Sequence, residues 1–358
     1  MEKYRVGIVG ATGMVGQRFI SLLKDHPWFE VNCVAASARS AGKTYREAVG
    51  ERWAFAWEIP EKVAGMTVVD AADIDEVSKH VDFVFCAVDM KKDEIRALEE
   101  AYAKHEIPVV SNNSACRGIE DVPMVVPEIN ADHLAVIEAQ KKRLGTKNGF
   151  IAVKPNCSIQ SYVPALTPLL DFEPEKVSVC TYQAISGAGK TFKTWPEMVD
   201  NVIPYIGGED EKSENEPLKL WGHVEDGKIV NATLPVISAQ CLRVACSDGH
   251  MAAVSVSFKK KPTIEQIKER WANYETEAQR LELPSAPKPF LQYFEDPSRP
   301  QTRLDRDFQN GFGVSIGRLR EDKLFDYRFV CLSHNTVRGA AGGGIQWAEV
   351  LCRKGDIP

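Results

Sequence analysis

The sequence predicts an α/β protein that begins with a doubly wound parallel sheet and continues into a mixed or antiparallel sheet. Residues 4–10 (YRVGIVG) are a short apolar run that ends in glycine, and helical apolar spacing starts at Gly13. Further apolar runs alternate with helical stretches over roughly the first 150 residues, which is typical of parallel strands joined by helices. After Asn156, longer strand candidates dominate.

The predicted elements follow in chain order. In the first half, the strand candidates are residues 4–10, 30–36, 67–69, 82–88 and 108–111. A helix is predicted over 91–104, and a helix-like stretch covers 157–170. In the second half, the strand candidates are residues 176–186, 241–246, 251–259, 313–319 and 325–332. Residues 207–232 and 284–310 are rich in Pro, Gly and charge, and we expect long segments with little regular structure there. A closing helix over 335–353 starts with Gly and Ala, so another part of the chain should pack close to its backbone.

Length, composition and charge limit the class of protein. At 358 residues the chain exceeds the size of one hydrophobic core, so two domains are expected. Its 44% hydrophobic and 26% charged residues are ordinary for a globular protein. The net charge of −6 gives no basic surface for nucleic acid. No apolar run approaches the roughly 18 residues of a membrane span, so we expect a cytoplasmic protein with neither nucleic acid nor membrane as partner.

The cysteine pattern favours isolated thiols. The nine cysteines are residues 33, 86, 116, 157, 180, 241, 246, 331 and 352. Their number is odd and no C-x-x-C spacing occurs, so neither a disulfide framework nor a metal site is expected. Most should be small buried apolar residues, and the question is whether one of them is placed to react.

A glycine triplet stands where the first strand turns into the first helix. Gly10, Gly13 and Gly16 permit a tight turn, and the helix N-terminus offers free N–H groups and a positive dipole to a pyrophosphate. A purely structural turn is the alternative. The triplet in this position predicts a Rossmann-type dinucleotide site whose contacts are Gly10, Thr12, Gly13, Met14, Val15 and Gly16.

The residues after the second strand bear on the choice of cofactor. An NAD-specific site would be expected to place Asp or Glu there to bind the ribose 2′-hydroxyl. This chain instead has Ser37, Arg39 and Ser40 after the strand that ends at Ala36, and hydroxyls with an arginine suit a 2′-phosphate. The pattern favours NADP, and a solvated loop that touches no cofactor is the alternative.

Two residues in the second half have the setting of a thiol-dependent catalyst. Cys157, in AVKPNCSIQ, follows an apolar run at the start of the helix-like stretch, where a helix N-terminus would lower the pKa of a thiol. His250 stands where the Asp248-Gly249 turn enters a strand, and it could meet the cysteine as a general acid or base. From spacing alone, a core thiol and a surface histidine are equally good interpretations.

Six motifs occur in a fixed order along nearly the whole chain. They are GATGMVG near the start, PNCS, QAISGAGK at 183–190, E-x-x-K at 209–212, R-x6-H at 243–250 and NTVRGAAGGG near the end. Together they resemble the aspartate-semialdehyde dehydrogenase family. VPEIN at 126–130 and IPYIGGEDEK at 203–212 resemble the branch found in archaea and fungi.

The resemblance implies the catalytic roles. Cys157 would attack an acyl phosphate, and His250 would move protons to and from the oxygen of the hemithioacetal. Gln183 would orient the thiol or the intermediate. Asn156 would contribute to substrate binding, and Asn335 would touch the nicotinamide half of NADP together with the backbone around Ser186 and Gly187.

The resemblance also implies how charged groups hold the substrate. Arg117 would bind phosphate with help from Lys212, and Arg243 would pair with the α-carboxylate, since a bidentate arginine matches a carboxylate in geometry. Glu209 would meet the α-ammonium. Because Asp210 and Glu211 follow directly, the choice of Glu209 depends on its spacing to Lys212, and a charged run of this kind can also be a solvated face.

For the whole chain, the resemblance implies a Rossmann domain over 1–156 that helix 335–358 completes. Residues 157–334 would form a catalytic and oligomerisation domain like that of glyceraldehyde-3-phosphate dehydrogenase, in a homodimer or homotetramer. The implied reaction is NADPH-dependent reduction of L-aspartyl 4-phosphate to L-aspartate 4-semialdehyde, in lysine, threonine and methionine biosynthesis. A malonyl-CoA reductase and an N-acetylglutamyl-phosphate reductase are related alternatives. A regulator that senses NADP without catalysis is the alternative from another class.

Overall fold

The first sheet is fully parallel. The structure is a computed structural model that describes residues 2–358. The strands of this sheet are β1 (Tyr4–Val9), β2 (Phe29–Ala36), β3 (Val69–Asp70), β4 (Phe83–Cys86), β5 (Val109–Ser111) and β6 (Ile151–Val153). They lie in the order β3-β2-β1-β4-β5-β6. Strand order reverses between β1 and β4, where open α/β sheets bind ligands at the carboxyl ends of their strands. The predicted doubly wound sheet is confirmed.

Helices connect these strands. They are α1 (Met14–Leu23), α2 (Tyr45–Val49), α3 (Glu61–Ala64), α4 (Ile74–Ser78), α5 (Lys92–Lys104) and α6 (Ile137–Leu144). α1 follows β1 directly, and its apolar face, with Phe19, Ile20 and Leu23, is buried. The predicted helix over 91–104 corresponds to α5.

The second sheet is mixed, as predicted. The strands of this half are β7 (Pro174–Gln183), β8 (Val202–Ile203), β9 (His223–Glu225), β10 (Lys228–Val230), β11 (Val236–Val244), β12 (His250–Phe258), β13 (Leu291–Phe294), β14 (Val314–Glu321) and β15 (Tyr327–Ser333). Seven of them lie in the order β13-β14-β15-β12-β7-β11-β8, and β9 pairs with β10 in a separate hairpin. β7 and β11 are parallel, whereas β12 runs antiparallel to β7.

Three helices of this half have nine or more residues, and the other three have four. They are α7 (Val163–Leu166), α8 (Glu209–Leu220), α9 (Ile264–Ala272), α10 (Glu277–Arg280), α11 (Thr302–Asp305) and α12 (Gly342–Lys354). α12 returns to the first sheet, where Ile345, Trp347 and Leu351 join the apolar core that contains Phe19. None of the helices among residues 2–358 is both long and apolar enough to cross a membrane.

Three expectations about local structure were wrong. Residues 157–170 are not one helix, because α7 has only four residues and lies between 3-10 turns, and Pro164 and Pro168 remove backbone donors that a longer helix would need. Residues 207–232 are not irregular, since they contain α8 and the β9–β10 hairpin. Residues 284–310 contain β13 and α11. The helical period of α8 is not visible as an apolar pattern, because its inward face carries charged residues.

Candidate active site

The thiol and the imidazole predicted from sequence meet in the structure. Cys157 lies in the turn after β6, and His250 opens β12. Cys157 Sγ and His250 Nε2 are 3.5 Å apart. Gln183 and Arg243 are partners in the parallel register of β7 and β11, so both side chains arise at the same end of the second sheet.

The electrostatic environment of Cys157 differs from the expected helix N-terminus. Burial raises the pKa of the Cys157 thiol and the Glu209 carboxylate adds to the rise, whereas Lys154, Arg243 and Arg117 oppose it. Only a short 3-10 turn and the four-residue α7 follow the cysteine, so no long helix dipole points at the sulfur. The prediction that a helix N-terminus lowers the pKa of the Cys157 thiol was therefore wrong. The groups that favour its thiolate are the nearby cations Lys154, Arg243 and Arg117.

His250 faces the cysteine in a defined tautomer. The backbone N–H of Ala184 donates to His250 Nδ1 at 3.1 Å, so the neutral ring carries its proton on Nε2, toward Cys157. Burial lowers the pKa of His250 well below its ordinary value, and Arg243 adds to the shift. The neutral imidazole can therefore donate a hydrogen bond from Nε2–H to the sulfur of Cys157 or to a group bound to that sulfur.

Glu209 is the carboxylate of the acidic run that enters the site. It accepts hydrogen bonds from Asn156 Nδ2 at 2.9 and 3.0 Å, from Lys212 Nζ at 2.8 Å and from Gln183 Nε2 at 3.2 Å. Burial alone would raise the pKa of Glu209, but Lys212, Gln183 and Asn156 outweigh it and hold the pKa below its ordinary value. Glu209 is therefore a buried anion.

The neighbouring carboxylates point elsewhere. Asp210 Oδ1 accepts from the backbone N–H of Cys241 at 2.8 Å, and Glu211 is exposed. Among residues 209–211 only Glu209 has a hydrogen bond to the Asn156–Cys157 turn. Gln183 and Asn156 both bond to Glu209, and neither of them has a hydrogen bond to the cysteine sulfur.

Arg243 and Gly187 pack against His250. Arg243 Nη1 donates to the Ala184 carbonyl at 2.8 Å, and burial lowers the pKa of its guanidinium. A Cβ on Gly187 would come within 2.9 Å of Arg243 Nη1 and 3.0 Å of His250 Nε2. Glycine at this position leaves the space beside both side chains open.

Arg117 reaches the site from the loop after β5, and it has a partner that sequence reasoning missed. Its Nη1 donates to Glu216 Oε1 at 2.9 Å, while Glu216 Oε2 accepts from the backbone N–H of Asn156 at 2.5 Å. One carboxylate thus joins the predicted phosphate ligand to the residue before the predicted nucleophile. Lys219 Nζ fixes the same loop by donating to the carbonyls of Arg117, Ile119 and Val122.

The charge spacing along α8 could have predicted both this helix and its charged inward face. Glu209, Lys212, Glu216 and Lys219 are separated by three, four and three residues, which puts them on one face of a helix. The sequence was interpreted as an irregular charged segment because no apolar stripe accompanies these residues.

The glycine-rich turn between β1 and α1 fits a dinucleotide phosphate. Side chains on Gly10 and Gly16 would overlap the backbone of Ala87 and of Gly10, and Gly10 has a φ of +90°. Gly13 is different, because an added Cβ would keep an ordinary 3.6 Å from the Gly10 carbonyl oxygen. α1 has no side-chain cap at Gly13, so the N–H groups of its first turn are not taken up by a capping side chain and are available to an anion.

The remaining predicted cofactor residues lie in two places. Ser37 and Arg39 are exposed and Ser40 is buried in the turn after β2, at the carboxyl edge of the first sheet. On the catalytic side, Asn335 Oδ1 accepts from the Gly249 N–H at 2.8 Å, and its Nδ2 donates to Ser186 Oγ at 2.9 Å. Among residues 2–358 no cluster of His, Cys, Asp and Glu could hold a metal ion.

The C-terminal segment packs against Cys157. Before α12 the chain forms a single π-turn, Val337–Ala341. A Cβ on Gly339 would lie 2.9 Å from the Cys157 Cβ. The predicted helix over 335–353 begins later, at Gly342, and the close packing expected of its Gly- and Ala-rich start occurs in the preceding π-turn, where the partner is Cys157.

A dinucleotide-type sheet beside a thiol–imidazole pair is the architecture of a cysteine-dependent dehydrogenase. A family model described as the NAD binding domain of semialdehyde dehydrogenase matches residues 5–137, and one described as the dimerisation domain matches residues 166–338. Aspartate-semialdehyde dehydrogenase of Schizosaccharomyces pombe is 45% identical over 98% of both chains, and that of Archaeoglobus fulgidus is 42% identical over 98% of this chain and 99% of its own.

Solved structures agree. The crystal structure of aspartate semialdehyde dehydrogenase with NADP from Candida albicans superposes with a TM-score of 0.89 at 38% identity, covering 99% of this chain and 100% of that one. The chain belongs to the aspartate-semialdehyde dehydrogenase family. The resemblance to its fungal and archaeal members is confirmed.

Proposed function

We propose that this chain is an NADPH-dependent aspartate-semialdehyde dehydrogenase that converts L-aspartyl 4-phosphate to L-aspartate 4-semialdehyde and phosphate. The observation that carries the proposal is the Cys157–His250 pair, 3.5 Å apart, with the buried anion Glu209 and the cations Arg117 and Arg243 around it. A substrate with a phosphate, a carboxylate and an ammonium group needs two cations and one anion, which this site supplies. The product would feed lysine, threonine and methionine biosynthesis.

Cys157 is the nucleophile of the proposed reaction. Its sulfur attacks the β-carbonyl carbon, the C–O bond to phosphate breaks, and a thioester remains on the enzyme. When bound, NADPH would supply the hydride that reduces this thioester. His250 then donates a hydrogen bond from Nε2–H to the resulting oxyanion, which collapses as the C–S bond breaks and releases the aldehyde and the thiolate.

Charged side chains orient the substrate. Arg117 receives the phosphate with Lys212, Arg243 pairs with the α-carboxylate, and Glu209 accepts from the α-ammonium. The low pKa of Glu209 supports this role, because an ionised carboxylate is what an ammonium requires. Asn156 and Gln183 both donate to Glu209, which supports a shared role in fixing that carboxylate.

The cofactor is assigned to the crevice between β1 and β4. Gly10, Gly13 and Gly16, with Thr12, Met14 and Val15, would hold the pyrophosphate at the start of α1. Ser37, Arg39 and Ser40 would hold the 2′-phosphate, and Asn335 with Ser186 and Gly187 the nicotinamide half. The uncapped start of α1 supports the first of these contacts.

We also propose that residues 1–156 and 335–358 form the cofactor domain, and residues 157–334 the catalytic and oligomerisation domain of a cytoplasmic homodimer or homotetramer. Exposed apolar side chains at both ends of the β11–β8 edge of the second sheet support self-association. There Val236 is 63% exposed, Tyr205 71% and Val202 56%. Sedimentation of the purified chain tests this part.

One assay separates the proposal from the thioester-reducing alternative. Phosphate-dependent reduction of NADP by aspartate semialdehyde is measured beside oxidation of NADPH by malonyl-CoA. We expect turnover only in the first reaction. A higher kcat/KM with malonyl-CoA would mean that the substrate is an acyl thioester and not an amino-acid derivative. Inactivity in both reactions would favour a regulator.

A further inference from the structure

A buried ion pair joins two segments of the chain, and the proposed reaction does not use it. Glu128 lies in the VPEIN motif between β5 and α6, and Arg338 lies in the π-turn before α12. Arg338 is 0% exposed, and its Nη1 donates to Glu128 Oε1 at 2.6 Å. A buried ion pair is often no more stabilising than apolar side chains of the same volume. This favours a geometric role for the pair over a contribution to stability.

The guanidinium of Arg338 has acceptors on three different segments. Besides the bond to Glu128, its Nε donates to Gln160 Oε1 at 3.2 Å and its Nη2 donates to Gln346 Oε1 at 2.8 Å. Gln160 lies in the 3-10 turn three residues after Cys157, and Gln346 lies in α12. A planar guanidinium directs its donors at fixed angles, so three acceptors together fix its orientation. Arg338 therefore links the turn of Cys157 to the VPEIN segment and to α12.

The residue after Arg338 packs directly on the cysteine. A Cβ on Gly339 would lie 2.9 Å from the Cβ of Cys157, and 3.2 Å from both its Cα and its carbonyl oxygen. The Gly339 N–H donates to the His334 carbonyl at 3.0 Å, which closes the π-turn. Arg338 thus reaches Cys157 by two short routes, through Gly339 on the π-turn and through Gln160 on the cysteine's own turn.

The influence of Arg338 on the cysteine is one of position and not of charge. Its guanidinium is matched by the carboxylate of Glu128. The charged groups that most affect the pKa of the Cys157 thiol are Glu209, Lys154, Arg243 and Arg117.

We propose that Arg338 is a positioning residue that fastens the turn of Cys157 to the C-terminal π-turn, so that the cysteine keeps the place from which it reacts. The proposal rests on Cys157 being the nucleophile of the proposed function. The same C-terminal segment carries Asn335, which is assigned to the nicotinamide half of the cofactor, so the position of this segment affects both partners of hydride transfer. No bond to the arginine forms or breaks.

The test separates a misplaced cysteine from a protein that is only less stable. In a single turnover without phosphate, enzyme saturated with NADP is mixed with aspartate semialdehyde, and NADPH formation is followed by stopped-flow absorbance. Loss of folded protein lowers the amplitude, whereas misplacement lowers the rate constant. Arg338→Lys keeps the charge but loses the planar fork, and Glu128→Gln removes the partner charge. For both variants we expect a rate constant about 10- to 100-fold below that of the wild type, because small displacements of reacting groups have effects of this size. A rate constant within about twofold of the wild type in both variants overturns the proposal.

Hydrogen exchange gives a second readout on the ligand-free protein. Peptides that contain residues 157–161 and 334–341 are followed by mass spectrometry. We expect exchange about tenfold faster in both peptides of each variant, because charge-assisted bonds that hold the two segments together are weakened. Unchanged exchange over 157–161 would contradict the link to the cysteine's turn and overturn the proposal. This measurement needs no turnover, so it can fail while the proposed function stands, and an inactive wild type would end the proposed function without changing it.

Glu349→Gln is the matched control. Glu349 is a buried carboxylate of α12, and its side-chain hydrogen-bond partners among residues 2–358 are His26 at 2.8 Å and Ser285, neither of which belongs to the Cys157 turn or the π-turn. The variant should lose stability in urea but keep the rate constant and the exchange of both peptides. An equal fall of the rate constant in Glu349→Gln would mean that the packing of α12, and not the contacts of Arg338, controls the cysteine, which overturns the proposal.

Gln160→Leu covers the case in which neither ion-pair variant folds. It removes the acceptor in the cysteine's turn and leaves the pair between Arg338 and Glu128 intact. We expect a rate constant about three- to tenfold lower than that of the wild type, because one hydrogen bond of the link is lost. An unchanged rate constant in this variant would overturn the proposal.

Discussion

Replacing Glu209 by glutamine tests whether the substrate is an amino acid. The carboxylate accepts from Lys212, Asn156 and Gln183 inside the site, and the amide can neither carry its charge nor accept at both ends. A substrate ammonium would then be desolvated without a counter-ion, a loss on the order of 2–5 kcal/mol. This corresponds to a fall in kcat/KM of about 30- to 5,000-fold for aspartate semialdehyde.

The assay compares two aldehydes in the phosphate-dependent reduction of NADP. Succinate semialdehyde lacks the amino group, so Glu209→Gln should change its kcat/KM much less than that of aspartate semialdehyde. Glu211→Gln is the matched control, because it removes the same charge from an exposed position of α8 and should leave both substrates nearly unchanged. Equal losses for both aldehydes in Glu209→Gln would refute the ammonium contact.

Four other substitutions test the remaining assignments. Cys157→Ser should abolish turnover while NADP binding, measured by calorimetry, changes only a few-fold, since serine stays protonated; substantial residual activity excludes the nucleophile assignment. His250→Asn should lower kcat about 10²- to 10⁴-fold with a small change in KM, and an unchanged kcat would indicate a structural histidine. Arg39→Ala should weaken NADPH but hardly affect NADH in initial-rate assays, and equal losses would assign Arg39 another role. Glu216→Gln should raise the KM for phosphate about tenfold, because Arg117 loses the charge-assisted bond that orients it; an unchanged KM would contradict this.

The order of the fold could be predicted because its signal is local. Apolar runs such as 4–10 and 82–88 became β1 and β4, and the glycine triplet lies where the strand turns into α1. Two of the short strands, β6 (Ile151–Val153) and β8 (Val202–Ile203), were not predicted, since two or three residues have no period to detect, although the equally short β3 and β5 were. The prediction of a helix over 157–170 was wrong because it gave the apolar spacing more weight than the two prolines within that stretch.

The candidate site could be predicted where residue chemistry and family motifs coincide. Cys157, His250 and Glu209 come together although 93 residues separate the first two, and spacing alone could not have joined them. Lys154 and Glu216 escaped because a lysine or glutamate in a sequence is normally interpreted as exposed. Their low exposure is a tertiary property, which appears only once α8 packs against the turn of Asn156 and Cys157.

α8 shows why a polar helix can be the element that assembles a site. Its buried positions include Glu209, Ser213 and Lys219, and burying charge is costly unless each group is paired. Each of the two charged groups is paired, Glu209 with the Asn156 turn and Lys219 with the loop that carries Arg117. The helix therefore joins a loop from the first sheet to the turn that holds Cys157. An apolar stripe would bury α8 equally well, but it would hold neither loop in position, so the three- and four-residue charge spacing is itself the sign of this function.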